Sequence, residues 1–130
     1  MTAVSQSFLD RLTAFSTSQD RTRGLLELGL RTADLAEITG VSVSAVRNWA
    51  SGQAEPRKNP DIVLDDLRAA AQILLTGGLE PAQASRWLVS RDTQTFDNRR
   101  PIDLLPTQPM SVLAAAHEVV LERRSSLQRH

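Results

Sequence analysis

Two neighbouring side chains in the stretch Thr32 to Gly52, TADLAEITGVSVSAVRNWASG, are of the types that read base pairs. Arginine grips guanine with two hydrogen bonds, and asparagine does the same for adenine. Arg47 and Asn48 supply these two groups, with Ser44 one helical turn before them. Val43 adds a methyl surface of the kind that meets a thymine. The apolar residues of the stretch are Leu35, Ala36, Val41, Val46 and Trp49. A helix, a tight turn at Gly40 and a second helix put all five on one inner side and leave Ser44, Arg47 and Asn48 outward. That arrangement is a helix-turn-helix, whose second helix enters the major groove. Ala36 sits where the two helices cross. Gly40 stands where the turn needs a positive φ, and Ser42 is placed to cap the second helix. Phosphate contacts are expected from the rim. Arg31 and Thr32 lie at the start of the first helix, where free N–H groups attract anions; Gln53, Arg57 and Lys58 follow the second. The plainer alternative is a helical hairpin with a buried valine and tryptophan.

Other chemistries fit poorly. His117 is isolated and His130 is the last residue, so no metal site is expected. Asp65 and Asp66 are adjacent and point in different directions on a helix, a poor catalytic pair. The chain contains no cysteine, which removes thiol catalysis, disulfides and zinc fingers. It has no phosphate-binding glycine loop and no nucleophile elbow, and Gly77-Gly78 reads as a helix stop. The expectation is a non-enzyme without cofactor. Formal net charge is zero over 130 residues, which counts against a DNA binder, although charge can be local. Lys58 is the only lysine; a GC-rich genome accounts for that bias better than function does. With no signal peptide and no apolar run of membrane-spanning length, the expected location is the cytoplasm.

The elements that must position these residues read as all-α, because alternating β-branched runs are missing. A first helix is expected over Ser5–Phe15, with Phe8, Leu12 and Phe15 on one face. A second follows, capped by Asp20, carrying Leu25, Leu26 and Leu28 and stopping at Gly29. After the helix pair, Gly52 to Pro60 reads as a linker. A long helix over Asp61 to about Thr76 has two apolar stripes, Val63-Leu67-Ala70-Leu74 and Leu64-Ala71-Leu75, implying burial on more than one side. Glu80-Pro81 opens a helix bearing Trp87 and Leu88. A polar loop, Arg91 to Arg100, leads to a short turn at Pro101. A last helix spans about Met110 to Arg124, with Val112, Leu113, Ala116, Val119 and Val120 inward, and a polar tail SSLQRH is expected to be mobile. The whole reads as a small helical bundle, divided into a DNA-binding unit over 1–60 and a second helical unit over 61–130 that could dimerise.

The pattern L-A-x-x-T-G-V-S-x-x-x-V-x-x-W-x-x-G over Leu35 to Gly52 resembles the Xre, or Cro/repressor-type, helix-turn-helix. The second half carries Trp87-Leu88, then Phe96-Asp97-Asn98-Arg99-Arg100-Pro101-Ile102-Asp103-Leu104-Leu105, then a closing helix. This is similar to the toxin-binding domain of Xre/MbcA/ParS-type antitoxins, which commonly has a tryptophan helix, an L-x-G-R-x-P-x-x-L-L-like turn and a final helix. Phe96 replaces the leucine and Asn98 the glycine; asparagine tolerates the left-handed conformation better than most residues.

The resemblance implies an antitoxin that blocks an NAD-consuming toxin of the RES class and represses its own operon through the helix-turn-helix. Its partners would be that toxin and operator DNA, with no membrane, in a homodimer or a larger hetero-oligomer. Two reading helices about 34–36 Å apart would suit a palindromic site. On the toxin-facing side, Asp97, Asp103, Glu118 and Glu122 are candidates to mimic dinucleotide phosphates, or they are a solvated face. Arg99 and Arg100 either pair with the toxin or hold the Pro101 turn. Arg123, with Arg124 and Arg129, is a candidate toxin contact or a favourable charge at a helix C-terminus. Two rival functions stay open: a stand-alone transcriptional regulator whose second half dimerises or senses a ligand, and a helical interaction module that has lost DNA binding.

Overall fold

The computed structural model describes residues 6–91 and 96–128, with only the backbone for 127 and 128. Among these residues the chain folds as eight helices: α1 (Gln6–Arg11), α2 (Ser18–Leu28), α3 (Thr32–Thr39), α4 (Val43–Ser51), α5 (Lys58–Thr76), α6 (Pro81–Val89), α7 (Pro101–Leu104) and α8 (Pro109–Gln128). The protein is all-α, a small helical bundle, and none of these helices is long and apolar enough to cross a membrane.

The middle of the bundle is α5. Leu64, Leu67, Ala70, Ala71 and Leu74 are fully buried along it, and it packs against α2, α3, α6 and α8. The two apolar stripes thus have their physical reason, since neighbours on several sides need apolar surface on several faces. Each fully buried leucine contributes roughly 1.5–3 kcal/mol relative to exposure. Where α8 crosses the end of α5, Gly77 is required for space: a Cβ there would sit 2.3 Å from Cγ2 of Val120.

Two arginines lie inside this packing. Arg21 of α2 donates to Asp61 at 2.8 Å and to the Ser16 carbonyl at 2.9 Å. Arg68 of α5 donates to Asp65 at 2.6 Å, to Gln72 at 2.7 Å and to the Leu12 carbonyl at 3.3 Å. Both are buried, and together they tie the α1–α2 connection to α5. Removing one partner of such a pair leaves an uncompensated buried charge. Beside them, burial and the charge of Asp65 push the Asp66 carboxyl above the usual carboxylate range, against the pull of Arg68.

Several boundaries differ from the sequence expectations. The first helix ends at Arg11, and Phe15 lies beyond it, 97% exposed, instead of on the apolar face with Phe8 and Leu12. Hydroxyls of Thr13 and Ser16 bond the carbonyls of Asp10 and Thr13 there, the local competition that draws such residues out of helices. Thr17, not Asp20, caps α2, accepting the N–H of Asp20 at 3.1 Å. The fifth helix starts at Lys58, so Lys58, Asn59 and Pro60 belong to its first turn and not to the linker. Proline is tolerated there because first-turn N–H groups have no intrahelical partner. The last helix runs on to Gln128, so most of the expected mobile tail is helical; Arg129 and His130 fall outside the described residues. Within the expected polar loop, Phe96 is buried.

Candidate functional site

The segment Thr32 to Gly52 forms two helices joined by Gly40-Val41-Ser42. Gly40 has φ 73°, and the N–H groups of Gly40 and Val41 both reach the Ala36 carbonyl, at 3.0 and 3.1 Å. These bonds close α3 in the way that favours glycine. Ser42 caps α4, its hydroxyl accepting from the Ala45 N–H at 3.1 Å. Leu35, Ala36, Val46 and Trp49 are buried, with Val41 packed beside them. Gly52 ends α4 at φ 81°, and Gln53 N–H closes onto the Asn48 carbonyl at 2.9 Å. The Gln19 side chain of α2 donates to the Ala50 carbonyl at 3.4 Å. Both ends of α4 are therefore held, one by its own cap and the other by α2.

The outer face of α4 is Ser44, Arg47, Asn48 and Ser51, all exposed, spaced i, i+3, i+4, i+7. The side chains of Arg47 and Asn48 make no hydrogen bond or ion pair among the described residues, so their full donor and acceptor sets face outward. Val43 is half-buried against the core, less available than Ser44. Gln53, Arg57 and Lys58 are exposed beyond the helix, and Arg57 and Lys58 sit at the start of α5. Thr32 is half-buried. Arg31 is 75% exposed but leans on Asp34 at 3.3 Å, and Asp34 also takes the Arg31 backbone N–H at 3.2 Å. The start of α3 thus carries its own anion.

The Pro101 turn is built from its sequence in a specific way. Asp97 and Asn98 both adopt positive φ, 54° and 63°, and Arg99 N–H returns to the Phe96 carbonyl at 3.1 Å. Two consecutive left-handed residues suit aspartate and asparagine. Arg91 fastens the turn by donating to the Asn98 carbonyl at 3.1 Å. Arg100 precedes Pro101, the first residue of α7, and forks onto Asp103 at 2.8 and 2.9 Å.

Arg100 also reaches across to α3, with Asp34 at 3.5 Å and Glu37 at 3.9 Å. Its hydrogen bonds to Asp103, with the charges of Asp103, Asp34 and Glu37, raise its already high pKa against the opposing effect of burial. Burial alone would raise the Asp34 carboxyl, but hydrogen bonds from Arg31 and the charges of Arg31 and Arg100 outweigh it and hold it below 3.8. Asp97, Arg99 and Asp103 are exposed around this turn. Glu118 and Glu122 are exposed well along α8, roughly 14–20 Å of helix from its start at 1.5 Å per residue. Arg123 is half-buried near Gly78, at the end of α5, where a helix C-terminus favours a cation. The candidates of the second half therefore fall on two elements, the turn before α7 and helix α8.

Asp34 and Arg86 were not among the candidates read from the sequence. Asp34 carries one local signal, a carboxylate in the first turn of a helix. Arg86 carries none; its place beside Arg31 comes from the packing of α6.

Neither family models nor solved structures match the chain. A curated relative does: the probable mycobacterial cidal antitoxin Rv3188 of Mycobacterium tuberculosis is 30% identical over 115 residues, 88% of this chain and 93% of the relative. The chain belongs to this antitoxin family. An alignment of that length in a chain of 130 residues has to include both α4 and the Pro101 turn, so the antitoxin relationship spans both candidate sites. No group of three or more potential metal ligands occurs among the described residues.

Proposed function

We propose that the protein is a two-part antitoxin, with a DNA-reading unit over residues 1–60 and a toxin-binding and dimerisation unit over 61–130. In this reading α3 and α4 are a helix-turn-helix and α4 enters the major groove of an operator. Ser44, Arg47 and Asn48 meet base edges, and Gln53, Arg57, Lys58 and Arg31 meet phosphates. The observation that carries the reading is the outer face of α4: an arginine and an asparagine, side by side, exposed and unengaged among the described residues, on a helix whose opposite side is packed. The formal net charge of zero fits a binder that works as a dimer, with two modest contacts adding by avidity.

The toxin side rests on the antitoxin relative and on the Trp87-to-Leu105 pattern. The target is a cognate toxin of the RES class, and the protein acts by binding and not by catalysis. Asp97 and Asp103 at the turn, with Glu118 and Glu122 on α8, offer carboxylates to a pocket shaped for phosphates; Arg99 and Arg123 flank them. Arg100 serves here by holding the turn, since its guanidinium is engaged with Asp103 and Asp34.

Two assays test the parts separately. Gel shift on the DNA upstream of the gene should show binding by the wild type and weakened binding by Arg47→Ala; equal binding removes Arg47 from base reading. Co-expression with the neighbouring toxin should show growth rescue by the wild type and loss of rescue by Glu118→Lys with Glu122→Lys. Undiminished rescue would show that the α8 patch is not the toxin contact.

A further inference from the structure

One charged concavity joins Arg31, assigned above to phosphate, to Arg86, which no contact above uses. A cleft of about 460 Å³ opens between the start of α3, the outer side of α6 and the residue before Pro101. Arg31, Arg86 and Arg100 line it together with Asp34 and Ser85. Arg100 is already paired with Asp103 at 2.8 Å and with Glu37 at 3.9 Å, and Arg31 and Arg100 share Asp34, so the free positive charge in the cleft is that of Arg86. The carboxylate is turned inward: the Asp34 side chain is 4% exposed and held by both Arg31 and Arg100. Ser85 gives its hydroxyl proton to the Ala82 carbonyl at 3.2 Å. Arg86 is different. It is exposed, and its side chain has no ion pair or hydrogen bond among the described residues. The cleft therefore holds one unengaged guanidinium and a second, Arg31, whose bonds to Asp34 are long, 3.3 and 3.4 Å.

We propose that this cleft receives a backbone phosphate of the DNA that lies across α4, so that the nucleic-acid interface continues from α3 onto α6. The inference rests on the DNA-reading function proposed above. Arg31 links the two surfaces: it is the residue before α3 and it is part of the cleft. A duplex seated on α4 brings phosphates past the rim of the helix pair, and guanidinium forks match phosphate oxygens in pairs. A phosphate bound by Arg86 and Arg31 carries no base information, so it adds affinity without changing sequence preference.

The test is the salt dependence of binding. Anisotropy of a fluorescent mixed-sequence duplex about three helical turns long is titrated with wild-type protein, Arg86→Ala and Arg86→Glu, from ~50 to ~200 mM salt. Loss of one phosphate contact lowers the slope of log affinity against log salt by about 0.9, equally for duplexes of different sequence. Arg86→Glu weakens binding further. Thermal melts should stay close to wild type, because the side chain is exposed and unpaired among the described residues.

An arginine kept only for the charge it places in the last turn of α6 would shift the melt slightly and leave the slope alone, and that result overturns the proposal. So does an unchanged slope in Arg86→Ala together with lost growth rescue, which would assign the cleft to the toxin. If Arg47→Ala loses base preference while Arg86→Ala keeps its slope, the phosphate site fails and the DNA-reading function stands. If the wild type binds no duplex, including the DNA upstream of its gene, both fail.

Discussion

Arg100 and Asp34, 66 residues apart in the chain, meet at 3.5 Å, Nη1 to Oδ1. This contact joins the turn before α7 to the first turn of α3. The DNA-reading candidate and the toxin-facing candidate are thus connected by one buried carboxylate and the two guanidiniums that share it.

Arg100→Ala leaves Asp34 with Arg31 alone and Asp103 without its fork. The expected loss is about 1–3 kcal/mol, and Arg100→Lys should recover only part, since an ammonium cannot reproduce a forked contact. Denaturant melts of Arg100→Ala, Asp34→Asn and the double variant check it. Coupling of roughly 0.5–3 kcal/mol is expected between groups in contact; additive losses would deny the link between α3 and the turn.

Acid should weaken the same contact. The folded pKa of Asp34 lies below its ordinary value of 3.8. A depressed carboxyl contributes stability that is complete above the unfolded pKa and is lost as pH falls through the folded one. In the window below 3.8, wild-type stability should therefore fall more steeply with pH than that of Asp34→Asn. Parallel curves for the two proteins would show that Asp34 contributes nothing to acid unfolding.

Gly77 and Val120 form a second tight relationship. Gly77 has an ordinary helical φ of −76°, so alanine is locally acceptable and on propensity alone would stabilise by about 0.4–1 kcal/mol. Its Cβ would instead strike Val120, and overpacking of this kind costs typically about 1–3 kcal/mol. Gly77→Ala should lower the melting temperature, and adding Val120→Ala should restore part of it. A stabilised single variant would mean that α8 moves aside without penalty.

On α4, the two neighbours should read different positions. Arg47→Ala is expected to cost about 1–3 kcal/mol and to relax preference at one base pair. Asn48→Ala should relax a different one. Ser51→Ala serves as a control, because its hydroxyl is already bonded to the Asn48 carbonyl at 3.2 Å. Selection from a randomised duplex pool measures all three. Identical recovered motifs would remove α4 from base reading.

Most of what was legible in the sequence is short-range. The spacing of Leu35, Ala36, Val46 and Trp49 located α3 and α4, because helical periodicity needs only the next few residues. Gly29, Gly40 and Gly52 marked the helix ends correctly, since a left-handed closing residue is a local demand. The errors were also local, but of a finer kind: Thr17 capped α2 where Asp20 was expected, and Pro60 entered α5. Caps and first turns admit several residue types, so one or two residues decide them.

Arg21 and Arg68 escaped for another reason. Arginine is rarely buried, and the i, i+3 pair Asp65–Arg68 hints at a surface bridge as readily as at a buried one. Only the seating of the α1–α2 connection on α5 encloses it.

By itself the sequence determined the all-α class, the helix pair with its outward arginine and asparagine, and the tolerance of Asn98 for a left-handed backbone. These follow from backbone preferences and from apolar spacing within a few residues. The tertiary structure alone decided that Arg100 binds Asp34 and that Arg86 joins Arg31 around one cleft. Such contacts join positions far apart in the chain. They exist only because α5 gathers α2, α3, α6 and α8 around it, and no local periodicity encodes which charges then meet.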